Sequence, residues 1–335
     1  MEQVLVTGGA GFIGSNLVAR LLADGCRVTV FDNLSRAGVR KNAEWLARQS
    51  GGHLSIVEGD IRDTAAVERV IGLADTVFHF AAQVAVTTSV TDPRSDFEIN
   101  ALGAFNVLDA VRRRSEPPVV IFTSTNKVYG GLEDAEVRAG PVRYELPDFP
   151  NGVPEGRPLD FHSPYGCSKG AADQYVIDFG RIYGLRTVVF RMSCIYGPRQ
   201  FGNEDQGWVA HFGLRALGGE PITIYGDGKQ VRDVLFVGDL IEAFLAARQR
   251  AETVPGQVYN VGGGPANSVS LLELLGLLER RIGRPIDLRF DDWRPGDQRV
   301  YISAIDKIEA DTGWSPRVGV EEGVDRLLAW LQTIG

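Results

Sequence analysis

The strongest constraint in this sequence is a glycine-spaced turn at the junction of its first strand and first helix. Gln3-Val4-Leu5-Val6-Thr7 reads as a short strand, and Gly8-Gly9-Ala10-Gly11-Phe12-Ile13-Gly14 carries it into a helix that runs through about Asp24. Gly8, Gly11 and Gly14 are spaced G-x-x-G-x-x-G. The early glycines permit a tight turn and let the backbone approach a pyrophosphate, while Gly14 lets the helix pack closely on the sheet. Phe12 and Ile13 open the helix, where unpaired N–H groups and the positive end of the dipole face the phosphates. A glycine pattern alone is weak; the strand before it and the helix after it give it meaning.

The rest of the first half agrees with that start. Arg27-Val28-Thr29-Val30-Phe31, Leu54-Ser55-Ile56-Val57, Thr76-Val77-Phe78-His79-Phe80, Val119-Val120-Ile121-Phe122 and Leu185-Arg186-Thr187-Val188-Val189-Phe190 read as further strands. Helical stretches lie between most of them, the longest over 93–114. Short strands that are apolar throughout and joined by helices predict an α/β fold, a doubly wound parallel sheet covered on both faces. Residues 132–158, rich in Pro, Gly and charge, read as a long loop near a site. Beyond Met192 the elements shorten, with helices expected at 238–251, 270–282 and 320–333. The expected division is a dinucleotide-binding Rossmann domain over 1–190 and a smaller α/β substrate lobe over 191–335. Tracts near 226–263 are expected to rejoin the first domain.

A formal charge of −8 over 335 residues argues against a nucleic-acid partner. Cys26, Cys167 and Cys194 form no C-x-x-C pair, so neither a disulfide framework nor a zinc site is expected, and four scattered histidines suggest no other metal. His79, at the end of a buried strand, reads as structural. No basic-then-apolar leader and no membrane-length apolar run is present, so the expected location is the cytoplasm, without a membrane partner.

Asp32, at the end of the second strand, is placed to accept both hydroxyls of an adenosine ribose and to repel a 2′-phosphate, which predicts NAD rather than NADP. Asn33, Ser35 and Arg36 share that turn, and Arg36 is the residue there that would favour the phosphate. Asp60 and Ile61, after the third strand, are placed to meet the adenine. Tyr165-Gly166-Cys167-Ser168-Lys169 puts Tyr165 and Lys169 four apart, on one helical face. There the ammonium of Lys169 is expected to lower the phenol's pKa directly, making Tyr165 a general base. Ser124 and Thr125 end the fifth strand, where ligands bind in a doubly wound sheet, and a hydroxyl there can hydrogen-bond a substrate alcohol and its developing ketone.

Residues 7–14, His79-Phe80-Ala81-Ala82-Gln83, Ser124-Thr125-Asn126-Lys127-Val128-Tyr129-Gly130 and 165–169 resemble the extended short-chain dehydrogenases/reductases that act on nucleotide sugars, the NAD-dependent epimerase/dehydratase family. The resemblance implies Thr125, Tyr165 and Lys169 as a catalytic triad. It implies Ala81, Ala82 and Asn100 along the NAD site and Gln83 at the NAD–sugar boundary. Arg232 matches the family's phosphate-binding arginine. Arg294-Pro295-Gly296-Asp297 matches a motif in which the Arg meets phosphate and the Asp meets the nucleotide ribose. Arg199 is a further phosphate candidate, and Trp208 is placed to pack on the nucleotide. Asn126, Lys127, His162 and Ser163 are candidates for hexose contact, with turn, surface and helix-cap roles as their alternatives.

Residues 124–130, 160–175 and Asp205-Gln206-Gly207-Trp208-Val209 resemble one subgroup more than the rest, the epimerases that invert C2 of CDP-hexoses of the paratose/tyvelose type. That resemblance implies a 2-keto intermediate, with CDP-glucose/CDP-mannose as simpler candidates. Spacing does not show which carbon reacts. The family's 4,6-dehydratases usually follow the catalytic Thr with Asp-Glu, and here those positions hold Asn126 and Lys127. Two other readings stand: a 4-epimerase of a UDP- or GDP-sugar, and a non-enzymatic NAD-binding sensor, against which the intact Tyr165 and Lys169 argue. Arg191-Met192-Ser193-Cys194-Ile195-Tyr196-Gly197-Pro198 departs from the family by placing Cys194 where Asn is common, and a thiol replaces an amide's hydrogen bonds poorly. A homodimer or homotetramer is implied, with helices over 93–114 and 168–183 at the interface.

Overall fold

The computed structural model describes every residue except Leu73, 252–255, 295–296 and Gly335. Pro295 and Gly296 of the 294–297 motif thus lie outside the described residues. The first half runs β1 (Gln3–Thr7), α1 (Phe12–Ala23), β2 (Arg27–Asp32), α2 (Val39–Gln49), β3 (Leu54–Glu58), α3 (Thr64–Ile71), β4 (Thr76–His79), α4 (Val86–Thr91), α5 (Pro93–Phe97), a π turn (Glu98–Leu102), α6 (Gly103–Arg112) and β5 (Val119–Thr125). A 3-10 turn (Asn126–Tyr129), the short hairpin β6 (Arg138–Ala139) and β7 (Tyr144–Glu145), α7 (Ser163–Tyr183) and β8 (Thr187–Met192) follow. The remainder is β9 (Cys194–Tyr196), α8 (Trp208–Gly218), β10 (Ile222–Tyr225), β11 (Val231–Phe236), α9 (Val237–Arg250), β12 (Gln257–Val261), β13 (Ser268–Ser270), α10 (Leu271–Ile282), β14 (Leu288–Asp291), β15 (Val300–Tyr301), α11 (Asp306–Thr312) and α12 (Val320–Leu331).

Seven strands form one parallel sheet in the order β12-β8-β5-β4-β1-β2-β3, the expected doubly wound Rossmann architecture. Both faces are buried because neighbouring residues on each strand serve different cores. Val4, Val6, Val28, Val30 and Ile121 pack with α1, α2 and α9, whereas Leu5, Phe31, Val77, Val120 and Phe122 pack with α3, α6 and α7. An alternating polar face would have left one of these helix layers without a partner. Within 226–263, β11 joins a smaller four-stranded sheet with β9, β13 and β15, while β12 is an edge of the large sheet and α9 packs on it. A third core gathers α8, α10 and α12 against β10 and β11.

The stretch over 93–114 is not one continuous helix. The π turn at Glu98–Leu102 divides it, and its widened geometry turns Asn100 inward. Asn100 accepts from the Gln83 amide (2.9 Å) and donates to Asp96 and to Ser168 of α7 (3.1 Å each). The tract 132–158 is anchored rather than loose, since Leu132, Tyr144, Leu146 and Val153 pack against Tyr301 and Val231. Among the described residues no helix is long and apolar enough to cross a membrane.

One buried network ties these parts together. Arg191 on β8 donates twice to Asp173 on α7 (2.9 Å each) and to the Tyr129 hydroxyl (3.0 Å). Tyr129 donates to Asn260 on β12 (2.7 Å), and Asn260 donates to the Val153 carbonyl (2.8 Å). The Arg191 and Asp173 side chains are 4% and 0% exposed, so removing one partner strands a buried charge. Arg191→Leu is expected to cost about 3–5 kcal/mol in urea unfolding. The double variant Arg191→Leu/Asp173→Leu should recover part of that loss; equal losses would mean the pair is not what the network depends on.

His79 links β4 to β1. Thr7 Oγ1 accepts from the Phe80 and Ala81 amides (3.2 Å each), so its own proton goes to His79 Nδ1 (2.7 Å). Burial, helped by Lys169, holds the imidazole down to about 3. An unfolded imidazole takes a proton near 6.5, so below that pH the unfolded chain binds one proton more and stability falls as pH falls. His79→Phe should remove this term. Its stability relative to the parent should rise by about 1.4 kcal/mol per pH unit as pH is lowered from 6 to 4. Parallel curves would show that the group does not titrate this way.

Candidate functional site

The glycine turn has no room for side chains. Gly8 has φ +67°, and a Cβ there would lie 2.7 Å from the Ala81 nitrogen; one on Gly14 would lie 2.3 Å from the Gly8 carbonyl oxygen. The N-terminus of α1 has no side-chain cap, so the amides of its first turn, at Phe12 and Ile13, face the turn itself. This is a cradle for a dinucleotide diphosphate. Asp32 closes its far end, accepting from the Ala10 amide (3.1 Å) and the Leu34 amide (2.9 Å). Burial pushes that carboxyl up, while those amides and Arg36 pull it back. Asn33 accepts from the Ser35 amide and hydroxyl. Asp60 is gripped by Arg62 and held down to about 2, and Ile61 is buried against Gly103.

Several expected cofactor residues act through the backbone they hold. Ala81 donates its amide to Thr7, and Ala82 lies on the same segment after β4. The Gln83 side chain folds back on Ala85, donating to its carbonyl (2.7 Å) and accepting from its amide (2.6 Å). Asn100 commits its side chain to Gln83, Asp96 and Ser168, and so ties this segment to α7. Arg36 reaches across the cleft to donate to Gln206, which in turn donates to the Val84 carbonyl (2.8 Å).

At the other end of the cleft β5 delivers Ser124 and Thr125 to α7. Pro164 sits in the first turn of α7 and Ser163 caps it, accepting from the Gly166 amide (3.2 Å) at a left-handed φ of 64°. Thr125 Oγ1 accepts from the Lys127 amide (3.2 Å) and donates to Asn126 Oδ1 (3.3 Å). The Ser124 hydroxyl is buried with no hydrogen-bond partner among the described residues. Lys169 donates to the Thr123 carbonyl (2.6 Å) and lies 4.2 Å above the Phe122 ring.

Burial dominates the electrostatics of both Tyr165 and Lys169. Burial pushes Tyr165 up to about 12, and the groups that pull it back are Thr125 and Arg36, not Lys169. Lys169 is itself brought down to about 7 by burial, against Asp173 and Asp96. A nearly enclosed ammonium needs an acceptor, and the β5 carbonyl provides one. Lys169 therefore fastens α7 to β5 through the Thr123 carbonyl.

The proposed substrate residues fall into two groups. Asn126, Lys127, Arg232 and Asp297 come together through Gln298. Its Oε1 lies 3.4 Å from Asn126 Nδ2 and 3.5 Å from Lys127 Nζ, and its amide nitrogen donates to the Gly130 carbonyl (2.6 Å). Arg232 donates to Asp297 and to the Gln298 carbonyl (2.6 Å each). Beside them Cys194 Sγ accepts from the Trp208 indole (3.4 Å), so the thiol at the usual Asn position keeps one hydrogen bond. Arg294 lies 3.9 Å over the Tyr225 ring and 3.4 Å from the Asp205 carboxylate. Arg199 and His162 stand apart from this cluster in their contacts. Arg199 stacks 3.9 Å over Trp45 of α2, and His162 is 3.1 Å from the Asp160 carboxylate on an exposed turn. Sequence reasoning missed Gln298, Asp96 and the Arg36–Gln206 bridge. Gln298 directly follows the 294–297 motif, and Gln206 lies inside the unusual 205–209 string. Among the described residues no group of His, Cys, Asp and Glu could hold a metal ion.

Comparison with known proteins agrees with this geometry. The NAD dependent epimerase/dehydratase family matches over residues 4–262. CDP-paratose 2-epimerase of Salmonella typhi is 47% identical over 99% of this chain and 100% of its own length. dTDP-glucose 4,6-dehydratase of Xanthomonas campestris pv. campestris is 34% identical, over 99% of this chain and 94% of its own. The structure of Thermus thermophilus UDP-glucose 4-epimerase in complex with NAD superimposes with a TM-score of 0.82 at 36% identity, covering 98% of this chain and 99% of that one. The chain belongs to the NAD-dependent epimerase/dehydratase family and is an enzyme of its epimerase type, with NAD as the cofactor its glycine cradle fits.

Proposed function

We propose that this enzyme inverts C2 of a CDP-hexose of the paratose/tyvelose type, with CDP-glucose and CDP-mannose as simpler substrates of the same chemistry. The observation that carries the proposal is the pair Asn126–Lys127 beside Thr125 and Tyr165, joined through Gln298 to Arg232 and Asp297. A dehydratase needs carboxylates there to move protons during loss of water. An amide and an ammonium do not offer that acid and base pair, so oxidation and return remain the available chemistry. The 47% identity to a CDP-paratose 2-epimerase supports the position and the nucleotide.

When bound, NAD supplies the acceptor and donor of hydride. The protein's part is to hold and move a proton and to let the sugar turn. Tyr165 takes the proton of the reacting hydroxyl, and Thr125 bonds that oxygen as it becomes a carbonyl. The unpartnered Ser124 hydroxyl is the next donor in line for the sugar. The carbon is flat at that stage, so a hexose that presents its other face takes the hydride back with inverted configuration, and Tyr165 returns the proton to its oxygen. Arg232 and Arg294 anchor the nucleotide while the hexose turns. In this reading residues 1–190 with α9 and β12 hold NAD, and the rest of 191–335 holds the nucleotide sugar. Three free cysteines fit the reducing cytoplasm, where we place the enzyme.

A proton NMR assay of the NAD-loaded enzyme tests this. CDP-glucose should give CDP-mannose, UDP-glucose should persist, and Tyr165→Phe should lower the rate by about 100-fold or more. A galactose product would move the enzyme to the second reading, a 4-epimerase, which the UDP-glucose 4-epimerase structure favours. Full activity in Tyr165→Phe would remove that residue from the chemistry.

The face of α6 and α7 exposes Phe105, Tyr175, Ile182 and Tyr183, at 37%, 50%, 66% and 54%. Phe105 and Tyr175 meet edge to face at 5.8 Å, so the patch is contiguous. We propose that a second copy of the chain covers it, as apolar patches of this kind mark interfaces. Sedimentation should give a dimer or tetramer for the parent and a smaller species for Phe105→Asp/Tyr175→Asp. An unchanged mass would place the interface elsewhere.

A further inference from the structure

The C2 reading leaves open what keeps C2, rather than another carbon, under Tyr165. Three ring carbons of a nucleotide-linked hexose, C2, C3 and C4, can carry a hydroxyl that meets the same base, so selection needs a fixed point close to the reacting one. In a nucleoside diphosphate sugar the anionic fixed point is the phosphate on C1. C2 is bonded to C1, whereas C4 lies across the ring. A site that works at C2 therefore needs a cation close to its catalytic threonine.

Lys127 and Arg232 meet at Gln298, and they differ in how much of their bonding capacity is taken. Arg232 is buried, and its guanidinium donates to the Val231 carbonyl, the Gln298 carbonyl and Asp297. Lys127 has three N–H donors and, among the described residues, one marginal hydrogen bond, 3.5 Å to Gln298 Oε1. Its nearest carboxylate, Asp297 at 3.9 Å, is already held by Arg232 at 2.6 Å. Two positive groups thus share one carboxylate in a largely enclosed space, which leaves a net positive charge without a counter-ion. Burial and the nearby Arg232 bring Lys127 down to about 8, against Asp297 and Cys194. Lys127 is also fixed in place. Its amide donates to Thr125 Oγ1, so its backbone cannot shift independently of the catalytic threonine. Gln298 Oε1 is oriented toward it because the amide end of that side chain is held by the Gly130 carbonyl.

We propose that Lys127 binds the sugar-proximal phosphate of the nucleoside diphosphate sugar and by doing so selects C2 for inversion. Arg232 and Asp297 position the rest of the nucleotide, and the ammonium, linked to Thr125 through Gln298 and Asn126, draws the C1 phosphate toward that end of the pocket. C1 is then next to Tyr165 and Thr125, and C2 is the carbon that reaches them. This rests on the C2 reading above for its selectivity but not for the phosphate contact.

The variant Lys127→Met keeps the length and apolar stem of the side chain and removes a buried charge, so the fold has no unpaired group to accommodate. Calorimetric titration of the NAD-loaded parent and variant with CDP and with CMP reads the phosphate contact directly. CDP should bind the variant about 10- to 100-fold more weakly, with CMP unchanged. Unchanged CDP affinity, or equal losses for CDP and CMP, overturns the proposal. With CDP-glucose, the variant should lose C2 inversion by the same factor, and a larger share of its remaining product should be inverted at C4. Retention of the parent's kcat/KM and C2 product would also overturn it. A parent enzyme that inverts C4 defeats the C2 reading and the selection by Lys127, while a CDP-specific loss in that case still supports the phosphate contact.

Discussion

The buried pair of Arg191 and Asp173 sets where α7, which carries Tyr165 and Lys169, lies against the sheet. Asp173 is one turn beyond Lys169 on α7, and Arg191 is on β8, which is hydrogen-bonded to the catalytic strand β5. Through Tyr129 the same guanidinium reaches the turn that follows Thr125. Through Asn260 and Val153 it reaches β12 and the long connection before α7. A single charge in the interior is thus bonded to both elements that carry the site, and its burial makes any relative slip expensive. Such an arrangement suits a reaction that asks the sugar to turn within a pocket whose catalytic groups stay fixed.

The sequence discloses most clearly what is fixed by burial and steric limits. The strands of the large sheet are legible because each is packed on both faces, so its apolar run is unbroken. The glycine turn is legible because Gly8 and Gly14 touch backbone where a Cβ would stand. The Tyr165–Lys169 spacing is legible because helical periodicity brings the two to one face. What escapes is set by contacts distant in the chain. Gln298 is 172 residues from the Asn126 it orients, and nothing local marks the pairing. The π turn looks like ordinary helix in sequence because its cause lies in α7 and in the segment after β4, where Asn100 finds its partners. Arg199 and Arg232 are both arginines in a plausible place. Only the fold shows that one stacks on Trp45 while the other joins the Lys127 cluster.

Tyr165 and Lys169 carry the site's central tension. Enclosure favours the neutral form of each, raising the phenol to about 12 and lowering the amine to about 7. A base made from such a phenol depends on whatever stabilises its anion inside a space with little water. Thr125 and Arg36 both pull the phenol down, and Arg36 is itself held by Gln206. Arg36 also acts on Asp32, at the adenosine end of the same cleft. One guanidinium therefore acts on both Asp32, beside the glycine turn, and the Tyr165 phenol proposed for the chemistry. The bond from Arg36 to Gln206, which itself donates to the Val84 carbonyl, holds that guanidinium where it acts on both groups. Removing that hold would take away a positive charge that lowers the phenol, leaving Tyr165 less readily ionised.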